Sequence, residues 1–272
     1  MIPFSKYHGL GNDFILVKEK DIESVSDLKD LIVCSCDRHT GVGADGFIIV
    51  RENPLEMVYY NQDGSRADMC GNGIRCFAAF CHDEGIETRS SFAVETLAGT
   101  KEIEVRNENP FLVAVRMGKP DFAPEKIATA GREKVWGRPF EVSGKTYDLY
   151  SFYMSTIHSV LFTDDAFADI QKPGRALCED PFFQEQTNVN FVEVLDPEHI
   201  RVQTYERGCG VTLACGTGVC ASAVAAYLCG KTSPSITAEL KKGSLQIDLD
   251  DDLQVTMTGP ARRICKGELD YA

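Results

Sequence analysis

The sequence has no long apolar run, no C-x-x-C pair and no excess of positive charge. None of its apolar stretches approaches the roughly 18 residues that a membrane helix needs. Met1 to Lys6 also lacks the basic patch and following apolar run of a signal peptide. We therefore expect a cytoplasmic protein with no membrane partner.

The formal net charge of the chain is −13. Nucleic-acid binding requires a basic face that neutralises phosphates, so we expect no nucleic-acid partner. An acidic protein can still bind a small anion locally, through helix N-termini and a few arginines.

The cysteine count is high, at eleven, but its pattern fits neither a disulfide framework nor a zinc site. The number is odd and the chain does not look secreted, which disfavours structural disulfides. The closest pair, Cys34 and Cys36, has no second pair at zinc-ligand spacing. We expect no metal, and we expect most of the thiols to be small buried hydrophobic groups.

With 272 residues, the chain is long enough for two domains of ordinary size. Short runs with strand character outnumber helical patterns, and together they predict an α+β fold. The strand signals are residues 14–17, 47–50, 102–105, 112–115 and 199–203. The two best helices are predicted over 73–82 and 218–229, one in each half.

These two helices reveal an internal repeat. Cys70-Gly71-Asn72-Gly73 precedes the first helix, and Cys215-Gly216-Thr217-Gly218 precedes the second, about half the chain further on. Glycine and proline interrupt the chain near residues 117–120, and the last strand, near 263–269, is expected to return to the first domain. The predicted domains are therefore residues 1–117 with 263–272, and residues 118–262.

A Cys-Gly-x-Gly sequence at a helix start combines a thiol with an anion receptor. Glycines let the backbone approach a ligand, and the unpaired N–H groups of the first turn bind a carboxylate. The helix start is expected to stabilise the thiolate and lower the cysteine pKa. A single copy could equally be a small cysteine before a tight turn.

Two copies, one per half, favour a more specific hypothesis. If both helix starts point into one cleft, Cys70 and Cys215 would flank the Cα of a bound amino acid. One thiolate would remove the Cα proton, and the other thiol would return a proton on the opposite face. This is a racemase or epimerase reaction that needs no pyridoxal cofactor.

Two competing motifs are disfavoured by their context. Residues 41–46 spell G-x-G-x-x-G, but they precede a strand and open no helix, unlike a dinucleotide site. Cys215 with His158 could form a thiol-protease pair, but the local signatures are absent and the second cysteine would be unexplained.

At these residues the chain resembles the diaminopimelate epimerase family over essentially its whole length. The resemblance implies two pseudo-symmetric domains, each a mainly antiparallel, barrel-like sheet around a central helix, with the site in the interdomain cleft. It also implies inversion of LL-2,6-diaminopimelate to the meso form without metal or cofactor. The matching segments are residues 4–14, 61–65, 70–77, 189–191, 205–208 and 213–218.

The resemblance implies a role for each matching residue. Cys70 and Cys215 match the acid/base cysteines, and His158 and Glu206 match residues that orient the substrate amine and tune the cysteines. The matches to the substrate-binding residues are Asn12 near the reacting centre, Gly71, Asn72, Gly216 and Thr217 at the reacting carboxylate, and Asn61, Asn190 and Arg207 at the distal end. Simpler interpretations are turn formation for Asn12 and Asn61, a surface charge for Arg207 and a core histidine for His158.

The chain departs from the family pattern near His158. Thr156 and Ile157 stand where the family usually has asparagine and proline, so a distal amide is missing. Val211 stands where many family members have glutamate. Gly46 stands where some members have glutamine, and glycine is a common variant there. Two alternatives follow, a racemase of another amino acid such as histidine and a non-catalytic amino-acid-binding protein. A homodimer is also left open.

Overall fold

The computed structural model describes residues 1–131 and 133–271. The chain divides into two compact units: unit 1 is Met1–Val115 with Thr258–Ala272, and unit 2 is Arg116–Met257. Both units are mainly β-structure, as predicted. The described residues contain four α-helices: α1 Leu28–Cys36, α2 Gly71–Asp83, α3 Gln171–Cys178 and α4 Gly216–Leu228.

Eighteen strands are found among the described residues, and every predicted strand signal falls inside one of them. The first nine are β1 Ile2–Gly9, β2 Asn12–Lys18, β3 Gly46–Glu52, β4 Leu55–Asn61, β5 Arg66–Ala67, β6 Ser91–Val94, β7 Lys101–Glu108, β8 Phe111–Gly118 and β9 Val135–Val142. The others are β10 Lys145–Tyr153, β11 Ile157–Phe162, β12 Asn188–Asp196, β13 His199–Glu206, β14 Gly210–Val211, β15 Ser235–Leu240, β16 Gly243–Leu249, β17 Val255–Pro260 and β18 Arg262–Leu269.

Unit 1 contains a six-stranded sheet in the order β18-β1-β2-β3-β4-β5. Its pairs are antiparallel except β2 with β3, which run parallel with Phe14 opposite Gly46. The predicted returning strand is confirmed, because β18 pairs with β1 and places Leu269 opposite Ile2. The chain therefore comes back to its first strand after completing unit 2.

Helix α2 is the central helix of unit 1. It packs against β1, β2, β3, β4 and β18, and eleven of its thirteen residues are buried. The prediction of a helix over 73–82 is confirmed, with an earlier start at Gly71. A Cβ on Gly73 would lie 3.3 Å from both Cys70 Cβ and Ile48 Cδ1, so glycine permits close packing here.

In unit 2, strands β16-β15-β13-β12-β11-β10-β9 are hydrogen-bonded in that order, with β14 added to β13. Helix α4 packs against β11, β12, β13, β15 and β16, and ten of its thirteen residues are buried. Most of its side chains are small, which lets the strands approach the helix closely. The predicted helix over 218–229 is confirmed, with bounds Gly216–Leu228.

The predicted repeat is visible in the secondary structure. Helices α2 and α4 have the same length, and each begins at the glycine that follows its motif cysteine. When the two helices are aligned by sequence number, the last residue of β4, Asn61, falls on the last residue of β13, Glu206. The two units thus use one architecture with different side chains at matching positions.

Candidate active site

The two predicted acid/base cysteines occupy the same position in their helices. Cys70 is the N-cap residue of α2 and Cys215 that of α4, both with extended backbone conformations. Cys70 is half-buried and Cys215 is buried. We call Asn12, Cys70, Asn72 and Arg75 the unit-1 cluster. We call His158, Asn190, Glu206 and Cys215 the unit-2 cluster.

In the unit-1 cluster, the amide of Asn12 contacts both Cys70 and Asn72. Its oxygen Oδ1 lies 3.6 Å from Cys70 Sγ and accepts a 3.1 Å hydrogen bond from Asn72 Nδ2. Its nitrogen Nδ2 donates a 2.8 Å hydrogen bond to Asp45 Oδ2. Because a carboxylate only accepts, Asp45 fixes the Asn12 amide with its oxygen facing the thiol.

Asp45 is held by a group of charged side chains. Arg38 Nη2 lies 2.7 Å from Asp13 Oδ1 and 2.8 Å from Asp45 Oδ1, and Lys6 Nζ lies 2.9 Å from Asp13 Oδ2. Burial raises the pKa of Asp13, but hydrogen bonds and charges from Arg38 and Lys6 outweigh it and leave that pKa below its usual value. An ionised Asp13 therefore keeps Arg38 against Asp45.

Arg75 is a further member of the unit-1 cluster, and its side chain is fully buried. Its guanidinium donates to Asn72 Oδ1 at 2.8 Å and to the carbonyl oxygen of Gly71 at 2.9 Å. A Cβ on Gly9 would lie 2.9 Å from Arg75 Nη2, so glycine leaves room for the guanidinium. The sequence reasoning missed Arg75, although an arginine inside a helix of small apolar residues was a usable signal.

In the unit-2 cluster, Cys215 is held as a thiol. Burial raises the pKa of Cys215 well above its usual value, and the Glu206 carboxylate raises it further. The Thr217 hydroxyl, 3.6 Å from Sγ, and the Gly218 N–H lower it by less. The expectation of a lowered pKa is therefore wrong for Cys215, because burial and a carboxylate outweigh the helix end. Thr212 donates its hydroxyl hydrogen to Glu206 Oε1.

His158 lies on β11, and its side chain is fully buried. Burial lowers the pKa of His158 to about 3, and the positive charge of Arg207 lowers it too. The ring is therefore neutral at physiological pH. Asn190 Nδ2 lies 3.2 Å from His158 Nδ1, so the structure brings these two predicted residues together.

The residues predicted at the glycine turns are the first two of each helix. Gly71 and Asn72 open α2, Gly216 and Thr217 open α4, and all except the half-buried Thr217 are buried. Arg75 contacts the carbonyl of Gly71 and the side chain of Asn72. The Arg75 guanidinium thus holds the first two residues of α2 in place by hydrogen bonds within unit 1.

The three residues predicted to bind the distal end of the substrate are Asn61, Asn190 and Arg207. Their hydrogen bonds do not connect them to one another. Asn61 belongs to its own turn, accepting from Tyr59 Oη at 3.0 Å and donating to Ser65 Oγ at 3.0 Å. Arg207 is exposed, and its backbone N–H donates to Asn188 Oδ1 at 2.8 Å. Asn188 was missed because the motif used, residues 189–191, begins one residue later. The repeated pattern Asn-Val-Asn over 188–190 was the available signal.

Of the departures from the family pattern, Thr156 lies in a turn, whereas Gly46, Ile157 and Val211 lie at the ends of strands β3, β11 and β14. Thr156 is half-buried between β10 and β11, where its carbonyl accepts a 2.8 Å hydrogen bond from Met154 N. Ser155 has a φ of 63°, so this turn uses a left-handed residue. Ile157 is buried, and Val211 pairs with Tyr205 between β13 and β14.

All eleven cysteines are free thiols. Six of the eleven are buried, and the five other than Cys215 act as small apolar side chains. Within residues 1–131 and 133–271, no group of three or more His, Cys, Asp or Glu side chains is arranged to hold a metal ion. No helix in the described ranges is long and apolar enough to span a membrane.

Comparisons with known proteins agree on one family. A family model described as diaminopimelate epimerase matches residues 4–123 and 150–264. A diaminopimelate epimerase of Caldanaerobacter subterraneus subsp. tengcongensis is 40% identical over 274 residues, covering 98% of this chain and 99% of the relative. A diaminopimelate epimerase of Pelotomaculum thermopropionicum is 42% identical over 278 residues, with coverage of 98% and 99%.

A solved structure shares the fold at low sequence identity. The Bacillus anthracis phenazine biosynthesis protein of the PhzF family superimposes with a TM-score of 0.69. The alignment covers 99% of both chains at 17% identity. This likeness concerns the fold alone.

Proposed function

This chain belongs to the diaminopimelate epimerase family, and we propose that it converts LL-2,6-diaminopimelate to the meso form. The enzyme is an isomerase of a pyridoxal-independent family, and its substrate is a small amino acid. The product serves as a precursor for lysine and peptidoglycan synthesis. The alternative of a racemase of another amino acid, such as histidine, rests on Thr156 and Ile157, and the two relatives named above do not support it.

One observation carries the proposal. Two Cys-Gly-x-Gly helix starts, one in each unit, each hold a cysteine at the N-cap of a buried helix. Each sulfur also contacts a polar side chain, Asn12 for Cys70 and Thr217 for Cys215. A duplicated thiol beside a duplicated anion receptor suits cofactor-independent, two-base inversion at the Cα of an amino acid.

In the proposed reaction, one sulfur takes the Cα proton and the other sulfur supplies a new proton to the opposite face. The first sulfur changes from thiolate to thiol, and the C–H electron pair is left on the carbanion, conjugated with the carboxylate. The second changes from thiol to thiolate as its proton binds Cα. Because burial and Glu206 raise the pKa of Cys215, we propose that Cys215 donates the new proton to the LL substrate and that Cys70 removes the old one.

We propose that the helix starts bind the reacting carboxylate. The backbone N–H groups of Gly71, Asn72, Gly216 and Thr217 would face the negative charge, which grows on this group as the proton leaves. Asn12 is proposed to lie near the reacting centre because its oxygen faces Cys70 Sγ at 3.6 Å. Glu206, His158 and the cysteines complete the proposed catalytic set.

The distal amino-acid end of the substrate is proposed to contact Asn61 and Arg207. The amide of Asn190, which the resemblance also assigns to this end, is already engaged by His158, Ser159 and Thr204. Arg207 is the charged member, and Asn188 holds its backbone. The Thr156 hydroxyl stands where the family has an amide. A guanidinium suits a second carboxylate, which favours diaminopimelate over an amino acid with a single carboxylate.

The test is a substrate comparison with the reduced protein. LL-diaminopimelate and a panel of L-amino acids that includes histidine are incubated separately, and both stereoisomers are quantified by chiral chromatography. We expect meso-diaminopimelate and no inversion of the panel. Inversion of histidine alone would contradict the assigned substrate, and binding without inversion of any substrate would contradict an enzyme.

Matched variants test the two cysteines. Cys70→Ala and Cys215→Ala are each expected to abolish inversion, whereas Cys34→Ala, at an exposed thiol on α1, leaves it unchanged. Normal turnover in either of the first two variants would refute a two-base reaction. Circular dichroism of all three variants serves as the folding control.

We also propose a cytoplasmic location and a homodimer. Eleven free thiols suit a reducing compartment. Strand β18 is the edge of the unit-1 sheet and exposes 51% of Ile264, so a second copy could pair along this edge. Ile264→Lys is expected to halve the mass measured by light scattering, whereas an unchanged mass would exclude this edge as the interface.

A further inference from the structure

His158 presents one ring nitrogen to a partner and leaves the other unsatisfied. Its side chain is fully buried, and Nδ1 lies 3.2 Å from Asn190 Nδ2. Its other nitrogen, Nε2, is buried and has no hydrogen-bond partner among the described residues. A buried polar atom without a partner is rare in folded proteins and calls for an explanation.

The orientation of the Asn190 amide decides which nitrogen of His158 carries the proton. Asn190 Nδ2 lies 3.0 Å from the carbonyl oxygen of Ser159, which can only accept, so this atom is the NH₂ group. Asn190 Oδ1 accepts a 2.9 Å hydrogen bond from the Thr204 hydroxyl. Both ends of the amide are therefore assigned by neighbours other than the histidine.

An NH₂ group facing His158 Nδ1 requires that Nδ1 be the acceptor. The proton of the neutral ring then sits on Nε2, the atom that has no partner among the described residues. A protonated ring would be penalised by burial and repelled by Arg207, which together hold the pKa of His158 at about 3. The neutral ring with an Nε2–H donor is thus the form that fits its surroundings.

The glycine after Thr217 keeps this arrangement in place. A Cβ on Gly218 would lie 2.3 Å from Asn190 Oδ1, 2.9 Å from Thr204 Oγ1 and 3.2 Å from Cys215 Sγ. Only a residue without a side chain leaves the amide where it is. Gly218, the second glycine of the motif, therefore allows the helix start at Cys215 to pack against the Asn190 amide that faces His158.

We propose that Asn190 is a positioning residue that holds His158 as the Nε2–H tautomer, so that His158 donates a hydrogen bond to an anion during the reaction. An Nε2–H group cannot accept a hydrogen bond from a substrate ammonium group, which is the role that the family resemblance implies. The anion is a substrate carboxylate or a cysteine thiolate. The role in the reaction depends on the proposed function, whereas the tautomer does not.

The tautomer is measured directly by NMR. The full-length reduced protein is labelled with ¹⁵N-histidine, and long-range ¹H–¹⁵N correlations are recorded at pH 7.5. We expect one ring, identified by its loss in His158→Gln, to show a pyrrole-like Nε2 and a pyridine-like Nδ1. A pyrrole-like Nδ1 on that ring would overturn the proposal.

Asn190→Asp tests the cause of the tautomer. A carboxylate accepts a hydrogen bond and would draw the proton to Nδ1, so we expect the pyrrole-like signal to move from Nε2 to Nδ1. Asn107→Asp, at an exposed asparagine on β7, should leave the spectrum of His158 unchanged. Retention of Nε2–H in folded Asn190→Asp would show that Asn190 does not set the tautomer.

Kinetics of the same variants test the donor role. Asn190→Asp is expected to lower kcat for diaminopimelate at least about tenfold, the scale of a lost donor to a developing anion, with a smaller effect on KM. Wild-type kcat in a variant with a shifted tautomer would refute the donor role. The expected tautomer in an enzyme that does not turn over diaminopimelate would instead contradict the proposed function.

The identity of the anion follows from the NMR signal of Nε2. The signal is compared between free Cys70→Ala protein and the same variant saturated with LL-diaminopimelate. A shift on saturation identifies a substrate carboxylate. A shift that instead accompanies deprotonation of Cys215 at high pH, without ligand, identifies the thiolate. No shift in either experiment would overturn the donor role.

Discussion

Because His158 is buried and neutral, we predict that the protein loses folding stability at low pH. Its folded-state pKa is about 3, against 6.5 for an unperturbed histidine. Well above pH 6.5 the ring is neutral in both the folded and the unfolded state, so it adds no pH dependence to the free energy of unfolding. Below pH 6.5 the unfolded chain binds a proton that the folded chain cannot bind, so folding stability falls as the pH falls.

The size of the effect follows from the two pKa values. Between pH 7.5 and pH 5, protonation of His158 in the unfolded state should cost about 2 kcal/mol of unfolding free energy. This loss is specific to a ring that stays neutral when folded. A variant without the ring, His158→Gln, should lack this part of the pH dependence.

The assay is urea unfolding of the reduced full-length chain at a series of pH values, followed by circular dichroism. Stability of the wild type relative to His158→Gln should fall by about 2 kcal/mol from pH 7.5 to pH 5. His199→Gln is the control of opposite sign, because the Asp196 ion pair raises the pKa of exposed His199 and stabilises the fold at low pH. Parallel pH curves for wild type and His158→Gln would refute a buried neutral His158.

Three further predictions concern the candidate site. Gly218→Ala places a Cβ 2.3 Å from Asn190 Oδ1, so it should lower the urea-unfolding free energy by about 1–3 kcal/mol, and an unchanged value would contradict the close packing. Thr156→Asn restores an amide and should lower KM for diaminopimelate about fivefold at similar kcat, which initial rates would show, whereas an unchanged KM would contradict a distal contact there. Asp45→Leu removes the acceptor that orients Asn12, so initial rates should show kcat reduced about tenfold, and a wild-type kcat would contradict this orientation.

The helices and strands were largely predictable because their signals are local. Glycine before a run of small residues marks the starts of α2 and α4, and the two helices have equal lengths. Alternating apolar residues mark strands such as β7 and β13. The return of β18 to β1 was also predictable, since a final strand needs a partner in a sheet.

The surroundings of the thiols were less predictable because they depend on contacts between distant residues. Asn12 and Asp45 are 33 residues apart, and nothing in either segment alone indicates that their side chains meet. The raised pKa of Cys215 likewise results from burial and from Glu206, which only the folded chain brings to the helix start. The two cysteines have equivalent positions in the sequence repeat, whereas their neighbours in the structure differ.

That difference has a chemical consequence. With Cys70 aligned on Cys215, the position that matches Glu206 is Asn61, and the strand pairing places the buried Phe14 at the position that matches His158. The repeat therefore keeps the helix starts but changes the titratable groups beside them. Because an inverting pair needs one thiol and one thiolate at rest, unequal surroundings suit the reaction better than equal ones.

The central claim is that two different sulfur atoms exchange protons with one Cα. Its most direct test is turnover of LL-diaminopimelate in D₂O, stopped at low conversion, with deuterium measured separately in product and recovered substrate. A thiol carries a single proton, so the new proton comes from the second sulfur, which has equilibrated with solvent. We predict one deuterium at the inverted carbon of the meso product and none in the recovered substrate. Retained protium in the product, or equal deuterium in recovered substrate and product, would contradict the two-cysteine account.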